Sequence, residues 1–84
     1  MQITFTQHAL VRMAERGITQ EEVLATLADP VRTVQAHTDL LEAQGWIDRA
    51  GKRLLLRVIY KGTVVVSVVT VMATSKFEKY GATP

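Results

Sequence analysis

Cysteine is absent from the chain, which excludes disulfide staples and thiolate metal sites and makes a reducing cytoplasm the natural compartment. No apolar run approaches the ~20 residues needed to span a bilayer; the longest is broken by Ser67 and Thr70. The opening Met1-Gln2-Ile3-Thr4-Phe5 lacks the basic start and apolar block of a signal peptide. Also missing are a phosphate-binding glycine loop, a nucleophile elbow, a pair of carboxylates at acid/base spacing and any zinc-ligand spacing. His37 stands in a turn-like segment with no second metal ligand at a recognisable distance. These absences lead us to expect a soluble cytoplasmic protein without a membrane partner.

What is present is one small domain, residues 1–84, with 48% hydrophobic residues. A domain of this size buries only about 60 to 65% of the surface its unfolded chain exposes, so there is room for one core and no second. The net charge of +2 conceals an asymmetry. Residues 1–48 carry three basic residues against seven acidic ones, a balance of −4. Residues 49–84 carry seven basic residues against Glu78 alone, a balance of +6. Cations concentrated in this way point to a polyanion-binding face, and they also serve to solubilise an apolar sheet and guard its edges.

The stretch from Thr6 to Pro30 reads as two short helices joined by Arg16-Gly17-Ile18-Thr19. Thr6 is placed to cap the first helix and Gly17 to end it in the left-handed conformation. Thr19-Gln20-Glu21-Glu22 has the form of a capping box, and Pro30 stops the second helix. At 100° per residue, His8, Arg12, Glu15 and Arg16 fall within an arc of roughly 100°, with Ala9, Leu10, Met13 and Ala14 opposite. Val23, Leu24, Leu27 and Ala28 form the expected packing face of the second helix.

After Pro30 the period changes from helical to alternating. Strands are expected over Val31–Ala36, Trp46–Arg49, Leu54–Tyr60 and Val64–Thr74, with turns at Ala50-Gly51-Lys52 and Lys61-Gly62-Thr63. Residues 37–45 give no clear period. The run Val64–Thr74 is apolar on both faces and must be covered on both. The expected fold class is α+β: a short N-terminal strand, two helices, then a three- or four-stranded antiparallel sheet with the helices on one face. The other face must curl on itself, pack under the C-terminal segment or meet a partner.

Phe5-Thr6-Gln7-His8 followed by Arg12-Met13-Ala14-Glu15-Arg16-Gly17-Ile18-Thr19 resembles the opening signature of a family of small bacterial domains of unknown function, usually placed near the BrnT and RelE/ParE-like toxins. Val69-Thr70-Val71-Met72 followed by Lys76 and Tyr80 is similar to the closing strand and tail of that group. The resemblance implies a RelE/BrnT-like fold, endoribonuclease activity in toxic members, a small antitoxin on the sheet face, RNA or the ribosome as target, and no metal or other cofactor. This chain departs from BrnT-type toxins in having Glu15-Arg16 where they carry Lys-His before the glycine.

Metal-free RNA cleavage needs a base for the 2′-hydroxyl, cations for the phosphorane and an acid for the leaving oxygen. His8, Arg12, Arg16 and Tyr80 are the candidate catalytic residues, and Arg53, Arg57, Lys76 and Lys79 the candidate RNA contacts. The expectation is a toxin-type endoribonuclease that gathers both sets into one anion cradle. The alternative is a non-catalytic interaction or nucleic-acid-binding module of the same fold, open to homodimerisation through its sheet. In that reading His8 caps its helix, Arg12 and Arg16 form a solvated face with Glu15, and Tyr80 packs.

Overall fold

A computed structural model of the chain describes residues 2–83. Five strands and two α-helices follow in the order β1 (Gln2–Phe5), α1 (Gln7–Arg16), α2 (Gln20–Ala28), β2 (Arg32–His37), β3 (Leu40–Arg49), β4 (Lys52–Lys61) and β5 (Val65–Thr74), with a closing 3-10 turn at Phe77–Tyr80. The helix boundaries are those their caps dictate. The Thr6 hydroxyl accepts from the Ala9 amide, and Gly17 takes φ 64°. The Thr19 hydroxyl and the Glu22 carboxylate complete a reciprocal capping box.

The sheet corrects the expected count and direction. It has five strands in the order β1-β5-β4-β3-β2, and β1 lies parallel to β5 while the other neighbours are antiparallel. The extra length lies mainly in residues 40–45, which continue β3. Their polar members, Glu42 and Gln44, hide the strand from a reading based on apolar period, because both are buried on the face away from the helices. β1 joins the same sheet by pairing Gln2–Phe5 with Val65–Val68, and the Gln2 N–H also donates to Val64 C=O, just before β5, at 3.0 Å.

The faces of β5 differ from the expected pattern. Between Ile59 and Tyr60 the register against β4 slips: Ile59 pairs with Thr70 and Tyr60 with Val68, so Val69 is the extra residue of a bulge. Val68 therefore shares the helix-covered core with Val71, where strict alternation would have put Val71 on the other side. The Thr6 hydroxyl donates to the Val69 carbonyl at 2.9 Å and ties the start of α1 to the bulge.

Both helices cover one face, as expected. α1 packs on β5 with Ala9 and Met13 as its buried residues, leaving Leu10 and Val11 substantially exposed. α2 turns Val23 and Thr26 inward, whereas Leu24 is exposed. Gly45 explains that rotation. A Cβ there would stand 2.6 Å from Thr26 Oγ1, so only glycine lets α2 come this close to β3. The Thr26 hydroxyl already donates to Glu22 C=O at 2.9 Å and has little freedom to move.

Gly45→Ala is expected to destabilise the domain by about 1–3 kcal/mol through overpacking. Thr26→Ala in the same chain should recover part of that loss, a coupling that chemical denaturation of the two single variants and the double variant will measure.

Candidate functional site

The face that the helices leave bare is covered by the end of the chain. Alternation along β3 and β4 directs Glu42, Gln44, Trp46, Arg53, Leu55, Arg57 and Ile59 to it. The Trp46 and Phe77 rings meet edge to face with centroids 5.0 Å apart. Next to them Tyr80 lies over the Arg57 guanidinium, 3.8 Å from ring centroid to Cζ, a cation–π arrangement. Arg32 Nη1 donates to the Tyr80 carbonyl at 2.8 Å, and Gln44 Nε2 to the same oxygen at 3.2 Å. The C-terminal strap is thus pinned by two aromatic contacts and two hydrogen bonds.

Beneath it lies a buried ion pair. Arg57 Nε and Nη2 donate to the two oxygens of Glu42 at 3.0 and 2.8 Å, a bidentate fork. Gln44 Nε2 donates to Glu42 Oε2 at 2.6 Å. Burial acts to raise the Glu42 pKa, but the bonds from Arg57 and Gln44 and the charges of Arg57 and Arg32 outweigh it, so the carboxyl is held below its ordinary value. Arg32, Val34, Glu42, Arg57, Lys79 and Tyr80 are among the walls of a shallow cleft of ≈ 450 Å³.

A second carboxylate works in the first turn of α2. Glu22 accepts from Arg49 Nη1 and Nη2 at 2.7 and 2.5 Å, and Arg49 also donates to Gly17 C=O at 2.9 Å. The Arg49 hydrogen bonds hold the Glu22 pKa at about 2, against the opposing effect of burial. Arg49 thereby locks the α1–α2 turn to the tip of the β3–β4 hairpin, and its charge is committed to structure.

The candidate residues divide between the two layers. Arg53, Arg57, Lys79 and Tyr80 come together on the strap-covered face. Arg53 lies 5.6 Å from the Trp46 ring and makes a loose 3.8 Å contact with Asp48. Lys76 is exposed at the start of the strap. His8, Arg12 and Arg16 belong to α1, on the far side of the sheet, where Arg12 and Glu15 form an exposed pair at 3.8 Å. The expected single cradle is therefore two separate surfaces. The reason is topological: α1 packs on the helix-covered side of β5, and odd-numbered Arg53 and Arg57 of β4 point to the other side.

A family model described as "Domain of unknown function (DUF4258)" matches residues 5–77. The chain belongs to this family. Neither the curated proteins nor the solved structures contain a match to it. Within this DUF4258 chain the matched span includes Arg32, Glu42, Gln44 and Arg57 and stops short of Tyr80. Arg32, Glu42 and Gln44 are site residues that reasoning from sequence missed. The available signal was the alternation Glu42, Gln44, Trp46, Asp48 against Ala43, Gly45, Ile47, which is that of a strand with one polar face.

Glu42→Gln is expected to lower stability by about 3 kcal/mol, because it leaves the covered Arg57 charge without its partner. Glu42→Leu combined with Arg57→Met should be near neutral in the same denaturation experiment. Both carboxylates are depressed, so their contribution is present above the ordinary carboxylate range and lost as pH falls through the folded-state values. Stability should hold down to about pH 5 and decline progressively toward about pH 2, and Glu22→Gln should remove the most acidic part of that decline.

Proposed function

We propose that this domain is a nucleic-acid-binding module that holds the backbone of single-stranded RNA against its strap-covered face. The observation that carries this reading is the grouping of Arg32, Lys79 and Tyr80 around the cleft, with Arg53 on the same face and Lys76 beginning the strap. Arg57 is neutralised by Glu42 and sets the position of Tyr80. On this face the cations that no buried carboxylate neutralises are Arg32, Arg53, Lys76 and Lys79, Arg53 making only its loose contact with Asp48. An array of four lies within the reach of a few nucleotides and favours a flexible strand.

The toxin-type endoribonuclease of RelE/BrnT character is the reading weighed against it, and it includes a cognate antitoxin. Cleavage needs a base beside the bound phosphate. Glu42 is the carboxylate in the cleft, and both its oxygens already accept hydrogen bonds from Arg57 or Gln44. His8 lies in the other layer. Binding without turnover is what this arrangement supports best.

Titrating a labelled ten-nucleotide RNA at several salt concentrations tests the proposal. Four phosphate contacts predict a log–log slope near −3, and Arg32→Ala with Lys79→Ala should flatten it by about 1.4. The RNA should emerge intact from the mixture. A salt-independent signal overturns the reading, as does cleavage, or growth arrest on induction, that His8→Ala or Arg12→Ala relieves; the latter result would establish the nuclease instead.

A further inference from the structure

Three aromatic rings share the strap-covered face, and Tyr80 is the one that lines the cleft together with Arg32 and Lys79. Trp46 and Phe77 are engaged with each other edge to face, and Arg53 lies over the Trp46 ring. The Tyr80 ring rests on the Arg57 guanidinium, yet the residue is only half-buried. Lys79 Nζ, on an exposed side chain, stands 5.8 Å from the same ring centroid. A flat ring thus borders two of the cations proposed to meet phosphates.

That ring is set before any ligand arrives. Arg32 Nη1 and Gln44 Nε2 both donate to the Tyr80 carbonyl. The turn around it is closed by bonds from the Gly81 amide to Glu78 C=O at 3.1 Å and from the Ala82 amide to Phe77 C=O at 3.2 Å, and Ala82 is buried. Glycine is required at position 81: with φ 78° it lies so close to Arg32 that a Cβ would overlap the guanidinium. Arg57, under the ring, is itself fixed by its fork to Glu42. A platform held in this way gives up little conformational freedom when a ligand stacks on it.

We infer that Tyr80 is the stacking platform for one unpaired nucleobase and the residue by which the domain selects single strands over duplexes. The inference rests on the proposed RNA reading and adds what phosphate contacts leave undecided. Those contacts alone do not exclude a duplex, whose charge density is the higher and whose salt slope per contact is the steeper, about −0.9 against −0.7. A base paired and stacked inside a helix has no free face for Tyr80. An unpaired base has one, with its phosphate still in reach of Arg32 or Lys79. The cleft of ≈ 450 Å³ lies within the about 300–1,000 Å³ of small-ligand sites, so it has room for one nucleotide. Every base carries a π face, so the selection is for strandedness and not for sequence.

The test compares three ligands on the full chain: a ten-nucleotide RNA of mixed sequence, the same strand annealed to its complement, and a ribose-phosphate chain of equal length without bases. The single strand is expected to bind at least about fivefold tighter than either of the others. Tyr80→Leu, which keeps an apolar group in the strap, should lower the single strand to the level of the base-free chain without changing the salt slope, whereas Tyr80→Phe should keep the preference. Equal binding of single strand and base-free chain, with the steep salt response retained, would overturn the inference and leave the RNA reading standing. So would a duplex bound as tightly as the single strand, or a Tyr80→Leu variant with native amide dispersion and an undiminished preference. A flat salt response with all three ligands removes the RNA reading itself and this inference with it. Should Tyr80→Leu fail to fold, the three ligands on the unaltered chain decide.

Discussion

A sheet apolar on both sides with helices enough for only one side is the constraint on which the rest of this domain depends. Leu55 and Ile59 on β4 are as well buried as Leu56 and Val58, though they face the opposite way. Ala9, Met13 and Val23 of the two helices seal one side. Among the described residues the other side is met by the segment after β5, which aromatic contacts and hydrogen bonds hold in place. Trp46 against Phe77 provides apolar cover, and Arg57 beneath Tyr80 provides a charged anchor.

That anchor requires a counter-charge. Removing a guanidinium from water is unfavourable unless its donors are met, and Glu42 meets two of them in a fork. Gln44 and Arg32 then extend the network to the Tyr80 carbonyl. Four side chains from β2, β3 and β4 are therefore coupled to the position of one aromatic ring in the strap. The network also divides labour among the cations. Arg49 and Arg57 are absorbed by carboxylates in bidentate forks, whereas Arg32, Lys76, Lys79 and the loosely paired Arg53 keep their charge exposed to solvent. Net charge alone does not separate these roles.

Cations thereby concentrate on the strap side. Glu15 and Glu21 lie on the helix side together with Arg12 and Arg16, and Arg32, Arg53, Lys76 and Lys79 gather on the strap side. An RNA strand would accordingly be drawn to the strap side by charge before any specific contact forms.

Much of the architecture was legible from local chemistry. Thr6, Gly17, Thr19 with Glu22, and Pro30 bracket the two helices because capping is decided within four residues of the chain. The Ala50-Gly51 turn and the apolar β5 run were equally local. Residues 40–45 were not legible, since a buried Glu42 and Gln44 are tolerable only once Arg57 and the strap have arrived from far along the chain. The bulge at Val69, which reversed the faces of β5, depends on pairing with β4 and on the Thr6 hydroxyl sixty-three residues away. By itself the sequence determined where helices start and stop, how charge divides between its halves and that one sheet face would need a cover. Only the tertiary structure decided that the α1 stripe and the β4 arginines stand on opposite sides, because strand parity and the side on which a helix docks are set by long-range pairing that local residues do not encode.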